Sequence, residues 1–252
     1  MKITLILPTL NEQEGMRKIM PRIKGDWVDQ VLVLDGGSKD QTVEVAKSFG
    51  AEVYIQKSAG IRNGYYELLP HIKGDICITF SPNGTCIPEL IFDLVAKMKE
   101  GHDMCIVSRY RGMACSENDN IITALGNWFF TKSVKFFYGG HITDVMGSFR
   151  AFKTKLIYDL DLDKDLSFYW PEKLFFTRLR WEPLLSVRAL KSKLKIAEIS
   201  GDEPLQIEGV KKDQFLRRGA AYYFQFLSEI FFWKTRKLSP ELDEDFIENL
   251  SD

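Results

Sequence analysis

Along the first hundred residues, short apolar runs alternate with longer segments in which apolar residues recur at helical spacing. Residues 3–7 (ITLIL) form the first run, closed by Pro8, and Asn11 is placed to cap a helix reaching about residue 23. Residues 31–34 (VLVL) are apolar on both faces, as a strand buried in a parallel sheet should be. Ser38 or Asp40 then caps a helix to residue 49, and 52–55 is a third strand. Residues 62–69 read as helix, 75–80 as the fourth strand, 88–99 as a helix opened by Pro88, and 104–107 as the fifth strand. This order predicts a doubly wound, mostly parallel α/β sheet with helices on both faces.

The second half is less regular. Residues 111–120 (RGMACSENDN) are small and polar and predict a mobile loop; 121–137 reads as a helix broken by Gly139-Gly140. More helix is expected over 151–160, 171–180 and 183–194, with a late strand at 195–199. An aromatic-rich helix spans 215–237. The expected division is a domain over 1–205, a helical appendage over 206–238 and a frayed acidic tail over 239–252.

That last helix carries Phe215, Tyr222, Phe226, Ile230 and Trp233 on one side, while Arg218, Gln225, Glu229 and Arg236 form a narrow polar stripe. So wide an apolar surface must be covered. Docking onto the domain or a second subunit in a homodimer is one reading. The other is a membrane interface, aided by Arg217, Arg218, Lys234 and Lys237.

Composition narrows the function classes. A formal net charge of -1 over 252 residues gives no general attraction to nucleic acid. The four cysteines (77, 86, 105 and 115) form no C-x-x-C pair, which points to a reducing compartment and no structural zinc. Histidines 71, 102 and 141 lie too far apart to suggest a metal site. Pro8 and Asn11 follow the first apolar run too soon for a signal peptide, and no stretch approaches the ~20 apolar residues of a membrane span. The expected location is the cytoplasm, including the cytoplasmic face of a membrane.

Candidate chemistry gathers at the strand ends. Asp35 ends the second strand ahead of Gly36-Gly37, where it can accept hydrogen bonds from a ligand or simply close its loop. Residues 35–42 (DGGSKDQT) resemble the Asp-Asp-Gly-Ser-x-Asp-x-Thr signature of the family-2 glycosyltransferases, with Gly36 in place of the second Asp. Pro8-Thr9-Leu10-Asn11-Glu12 looks like that family's P-x-x-N-E opening, and Arg62-Asn63-Gly64 with Gly74-Asp75 like its next block. Ser108-Arg109-Tyr110 and residues 143–150 (TDVMGSFR) are similar to blocks of the dolichyl-phosphate mannosyltransferase-like branch. The five blocks are collinear and cover residues 1 to about 200.

The resemblance implies a GT-A fold and an inverting transfer from a nucleotide sugar to a lipid-linked or polyprenyl phosphate. Carried over by position, Pro8, Thr9, Glu12 and Asp35 would hold the nucleoside, with Arg62 close by. Arg109 would meet the diphosphate, since a guanidinium matches phosphate oxygens in bidentate fashion. Arg150, with Asp144 and Ser148, would serve the acceptor, or else Arg150 would pair with Asp144 across its own loop. An acceptor phosphate is largely ionised near neutral pH and needs little help from a base. Glu172 is either a base for a hydroxyl acceptor or an ordinary helix-start acid.

Residues 80–85 (FSPNGT) stand where the family carries its metal-binding Asp-x-Asp turn. Ser81 and Asn83 replace the two aspartates, and neutral oxygens are poor ligands for Mg²⁺ or Mn²⁺. Asn83 is then at most a weak metal ligand, and any divalent cation would be held mainly by the donor's phosphates. The alternative class is a non-catalytic nucleotide-sugar-binding or scaffold protein. A sugar nucleotidyltransferase would need a Gly-rich loop after the first strand, where this chain has Pro8-Thr-Leu-Asn-Glu12.

Overall fold

The computed structural model describes residues 1–164, 166–207 and 215–235. Seven strands form one sheet: β1 (Ile3–Thr9), β2 (Gln30–Asp35), β3 (Glu52–Ile55), β4 (Ile76–Thr79), β5 (Met104–Ser108), β6 (Arg150–Lys153) and β7 (Ile196–Ser200). Their order is β3-β2-β1-β4-β6-β5-β7. β6 runs antiparallel to both its neighbours, and every other pairing is parallel. The direction of winding reverses between β1 and β4, so the crevice beyond their carboxyl ends is the place where such a sheet binds ligands.

Alternate side chains of each strand feed two cores. Leu5, Leu7, Val33, Ile78 and Cys105 pack under α1 (Gln13–Ile19), α2 (Thr42–Ser48) and α4 (Leu90–Lys99). Ile6, Leu32, Leu34, Cys77 and Met104 face α3 (Ile61–Leu68), α5 (Ile121–Tyr138), α6 (Leu156–Asp159), α7 (Leu166–Phe175), α8 (Glu182–Lys191) and α9 (Phe215–Phe231). Residues buried on both faces explain why the first strands read as continuous apolar runs.

Several expectations are corrected. The helix expected over 151–160 is mostly β6 and a turn, with only Leu156–Asp159 helical. Arg150-Ala-Phe-Lys153 is wedged between β4 and β5, pairing Cys77 with Phe152 and Cys105 with Ala151. Asn11 does not cap α1. It has φ 52°, and its side-chain oxygen accepts from Lys39 N at 2.8 Å. Nor is the 111–120 segment a free loop, because Ser116 bridges to Glu203 and Cys115 N donates to Asp202 Oδ1 at 3.0 Å.

α7 begins before the expected start at 171 and holds Pro171 in its interior. Proline has no N–H for the carbonyl of Ser167 four residues back. Gln225 Nε2 of α9 donates to that carbonyl instead, at 3.0 Å. Two members of the expected polar stripe of α9 therefore face inward, Gln225 onto α7 and Glu229 onto Arg188 at 2.7 and 3.0 Å. Ala221, Tyr222, Phe226 and Trp233 join the second core, so α9 is docked on the domain. Arg236, Lys237 and the tail over 239–252 lie outside the described residues. Among those described, no helix is long and apolar enough to cross a membrane.

Candidate functional site

The loops after β1 and β2 lock into each other at the switch point. Asp35 is fully buried, and its carboxylate accepts from Gly37 N (3.1 Å), Ser38 N (2.9 Å) and the Ser38 hydroxyl. It closes its own loop and is not free at the strand tip. Gly37 takes φ 90°, which a side chain would strain. Across the crevice Asn11 N donates to Ser38 Oγ (2.9 Å), and Glu12 N to Thr42 Oγ1 (2.9 Å). Asp40 accepts from the Thr42 hydroxyl and amide. Burial works against its charge, yet these bonds prevail and hold its pKa below the usual carboxylate value. Thr9 is buried at the end of β1 opposite Asp35, while Pro8 and Glu12 are half-buried beside the crevice.

The turn after β4 sits against both α1 and the chain beyond β7. A Cβ on Gly15 would stand 2.5 Å from the Pro82 carbonyl oxygen, and one on Gly84 2.6 Å from Ile207. Ile207 N donates to Asn83 O at 2.8 Å, so residues 201–207 strap the turn down. Asn83 Oδ1 accepts from Thr85 N (3.1 Å) and Thr85 Oγ1 (2.7 Å). The two lone pairs of that amide oxygen are thus already used. Among the described residues, no three His, Cys, Asp or Glu gather as a metal group. This donor set does not fit a firmly held divalent cation, and Asn83 is a turn residue and not a ligand.

Arg62 and Glu172 meet from α3 and α7 in a buried two-pronged ion pair at 2.5 and 3.1 Å. The guanidinium lies 4.1 Å from the Phe168 ring centre. Glu172 also accepts from Leu179 N at 2.7 Å and Arg178 Nη1 at 3.3 Å. All of these bonds tie the Glu172 carboxylate to groups of the fold itself. Glu172 lies inside α7 and not at its start, and it clamps α7 to α3.

Arg109 leaves the tip of β5 and pairs side-on with Asp144, Nε to Oδ2 at 2.7 Å and Nη2 to Oδ1 at 3.1 Å. Its remaining Nη1 donates to Glu203 Oε2 at 3.2 Å. Burial opposes the charge of Arg109, but the Asp144 and Glu203 carboxylates outweigh it and raise its pKa well above the ordinary value. Glu198 on β7 accepts from the Thr143 and Asp144 amides at 2.7 and 3.0 Å, fixing the 143–149 loop. Half-buried Ser148 accepts at its carbonyl from Thr79 Oγ1 at 2.6 Å.

Arg150 is elsewhere. Fully buried, it donates to the carbonyls of Gly147, Val145 and Glu182 and to Ser186 Oγ. Burial pulls its pKa down to about 10. It pins β6 to α8, makes no pair with Asp144, and has no face left for an acceptor.

The structure thus brings Pro8, Thr9, Glu12, Asp35, Ser81, Asn83, Arg109, Asp144 and Ser148 to one sheet edge. It places Arg62 with Glu172 in a buried clamp and removes Arg150 to the core. Sequence reasoning missed Glu198 and Glu203. A lone acid inside an apolar strand (Ile196-Ala-Glu198-Ile) and another just past its tip were the available signals. It also missed Arg180, whose Nη2 pairs with Glu182 at 2.9 Å and whose buried Nε has no hydrogen-bond partner among the described residues.

Comparison with known proteins agrees with this geometry. A family model described as "Glycosyl transferase family 2" matches residues 4–161. Glycosyltransferase AglJ of Haloferax volcanii is 26% identical over 164 residues, covering 65% of this chain and 54% of that protein. Dolichol-phosphate mannosyltransferase of Pyrococcus furiosus is 27% identical over 118 residues, covering 44% and 34%. An undecaprenyl-phosphate 4-deoxy-4-formamido-L-arabinose transferase of Shewanella sediminis is 24% identical over 169 residues, covering 62% and 49%. The chain spans about half the length of these curated relatives, or less. Among solved structures, glucosyl-3-phosphoglycerate synthase of Mycobacterium tuberculosis in complex with Mn²⁺, UDP and phosphoglyceric acid is similar. Its TM-score is 0.65 at 19% identity, covering 93% of this chain and 80% of that one. The shared fold is the GT-A fold.

Proposed function

This chain belongs to glycosyl transferase family 2, and on that premise we propose that it transfers a sugar from a nucleotide-sugar donor to a lipid-linked or polyprenyl phosphate, with inversion at the sugar carbon. The observation that carries the reading is the placement of the first, second and fifth strand-end loops along one edge of the sheet, with Arg109 held there by Asp144. The names of two relatives, a dolichol-phosphate and an undecaprenyl-phosphate transferase, favour the lipid phosphate acceptor.

In this reading the nucleoside lies against the interlocked loops at Pro8–Glu12 and Asp35–Thr42. The acceptor phosphate oxygen attacks the sugar carbon. The bond from that carbon to the diphosphate oxygen breaks, and its electron pair leaves with the nucleoside diphosphate. The negative charge that develops there needs a fixed cation. Arg109 is held by Asp144 at the crevice wall, and a diphosphate can replace its single contact to Glu203. An ionised phosphate attacks without a general base, which accords with the engagement of Glu172 elsewhere.

A second reading is favoured by one observation, the uncharged turn at Ser81 and Asn83: a donor-binding protein that transfers nothing. Incubating the chain with labelled UDP- and GDP-sugars, with a polyprenyl phosphate in one arm and 3-phosphoglycerate in another, separates the cases. Label moving into the lipid fraction supports the proposal, label on phosphoglycerate replaces its acceptor, and donor binding without transfer establishes the second reading.

A further inference from the structure

Three neighbouring helices share a surface that the transfer reaction does not use. On α5 the buried side chains Asn127, Phe130, Thr131 and Val134 occupy one side. The opposite side carries Ile121, Leu125, Trp128, Phe129 and Phe136, all exposed, Ile121 at 87% and Phe136 at 84%. A helix on a globular domain ordinarily turns polar residues outward. α9 lies alongside, with Tyr223 stacked on Phe129 at 5.4 Å, and α7 lies beyond, with Phe175 at 6.0 Å from Phe224. These helices extend the exposed apolar surface through Trp170, Leu174 and Phe231.

Charge decides what covers it. α5 contains no acidic residue, and α7 and α9 contain one each. Those two, Glu172 and Glu229, are buried in ion pairs with Arg62 and Arg188. The exposed charges are Lys132, Lys173 and Arg217, with Lys234 just past α9, and all are positive. In a chain of net charge -1 this is a strong local excess. A second copy docked on the same face would bring like charges together. Aromatic rings fringed by lysine and arginine, with no exposed acid on the described residues of α5, α7 and α9, match the interface of an anionic bilayer.

We infer that α5, α7 and α9 together seat this protein on an anionic lipid surface. The loop from Arg109 leads directly to the exposed start of α5, so this seat sets the candidate site beside the headgroups. The inference rests on the helical face alone, and vesicle binding is measured without donor or acceptor. A chain that transfers no sugar leaves the result untouched.

The test is flotation of the full chain with vesicles of phosphatidylcholine, alone or mixed with phosphatidylglycerol. Binding is expected only to the anionic vesicles, with tryptophan emission shifting to the blue as Trp128 and Trp170 leave water. Lys132→Glu should weaken binding by more than about fivefold, and Trp128→Glu with Phe136→Glu should abolish it. These side chains are exposed, so an unchanged unfolding midpoint checks that the variants fold. Absence of binding to anionic vesicles overturns the inference, as does equal binding to both kinds. A dimer in sedimentation that the double variant splits, without vesicle binding, gives the face to a second copy instead.

Discussion

Arg109 and Asp144 meet side-on at 2.7 and 3.1 Å, although Arg109 follows the last residue of β5 and Asp144 lies in a loop 35 residues later. Asp144 is fully buried, and its partner keeps a fifth of its side-chain surface in water. Replacing Asp144 by Ala leaves a largely buried guanidinium with Glu203 as its one carboxylate among the described residues. A loss of about 3 kcal/mol is expected, the low end for breaking a buried pair, because Arg109 is partly hydrated. Urea unfolding measures it, and a loss under about 1 kcal/mol would show that the pair is not structural.

Glu203 is the displaceable partner. Glu203→Gln removes the charge that competes with a diphosphate for Arg109, so donor affinity in calorimetry should rise by about tenfold, or 1.4 kcal/mol. Arg109→Ala should abolish both affinity and turnover. Unchanged affinity in Glu203→Gln would separate Arg109 from the donor.

For the Arg62–Glu172 clamp, Glu172→Gln should cost about 3–5 kcal/mol of stability by leaving a buried guanidinium half-paired. The double variant Arg62→Met with Glu172→Leu should recover most of that loss. If Glu172→Gln instead kept its stability and lost turnover with one limb of the pH profile, Glu172 would be a base after all.

Burial raises the thiol pKa of Cys77 and Cys105 to about 12 and of Cys86 to about 11. Exposed Cys115 is also raised, chiefly by the neighbouring Asp202 carboxylate. Alkylation of the folded chain near pH 8 should therefore label Cys115 alone, and more slowly than a free thiol, because only the thiolate reacts. The rate should climb with pH and increase in Asp202→Asn. Mass spectrometry counts the labels, and a second label on the native chain would contradict the packing.

At the turn, Asn83→Asp keeps an acceptor for Thr85 N and Oγ1 and adds a negative charge. Stability should hardly change, while Mn²⁺ affinity should rise from the wild-type value. A wild-type chain that already binds Mn²⁺ at micromolar concentration would reveal ligands outside this turn.

Strands β1, β2, β4 and β5 were legible because each holds a run of buried apolar residues, and the short β3 because Val53-Tyr54-Ile55 follows a helix; their tips located the candidate site. β6 was not, since four residues led by a charged Arg150 do not look like an interior strand. What buries that charge is a ring of carbonyls from Val145, Gly147 and Glu182, and no local pattern announces it. The pairing of Arg62 with Glu172 was hidden for a related reason. The two lie 110 residues apart, and each alone reads as a surface charge. Motif position correctly brought the strand-end loops together, but it could not say which charged groups were already spent on one another.

The placement of β6 also orders the birth of the sheet. Both neighbours of β5, β6 and β7, follow it in the chain. A nascent chain emerging from the ribosome can complete β3-β2-β1-β4, yet β5 then has no edge to join. Until Arg150–Lys153 emerges, the wholly buried edge strand β4 stands uncovered, and an unpaired apolar edge is an invitation to other chains. The antiparallel insertion of β6 is therefore the step that both closes this edge and recruits β5, making the interval between residues 80 and 150 the vulnerable phase of synthesis.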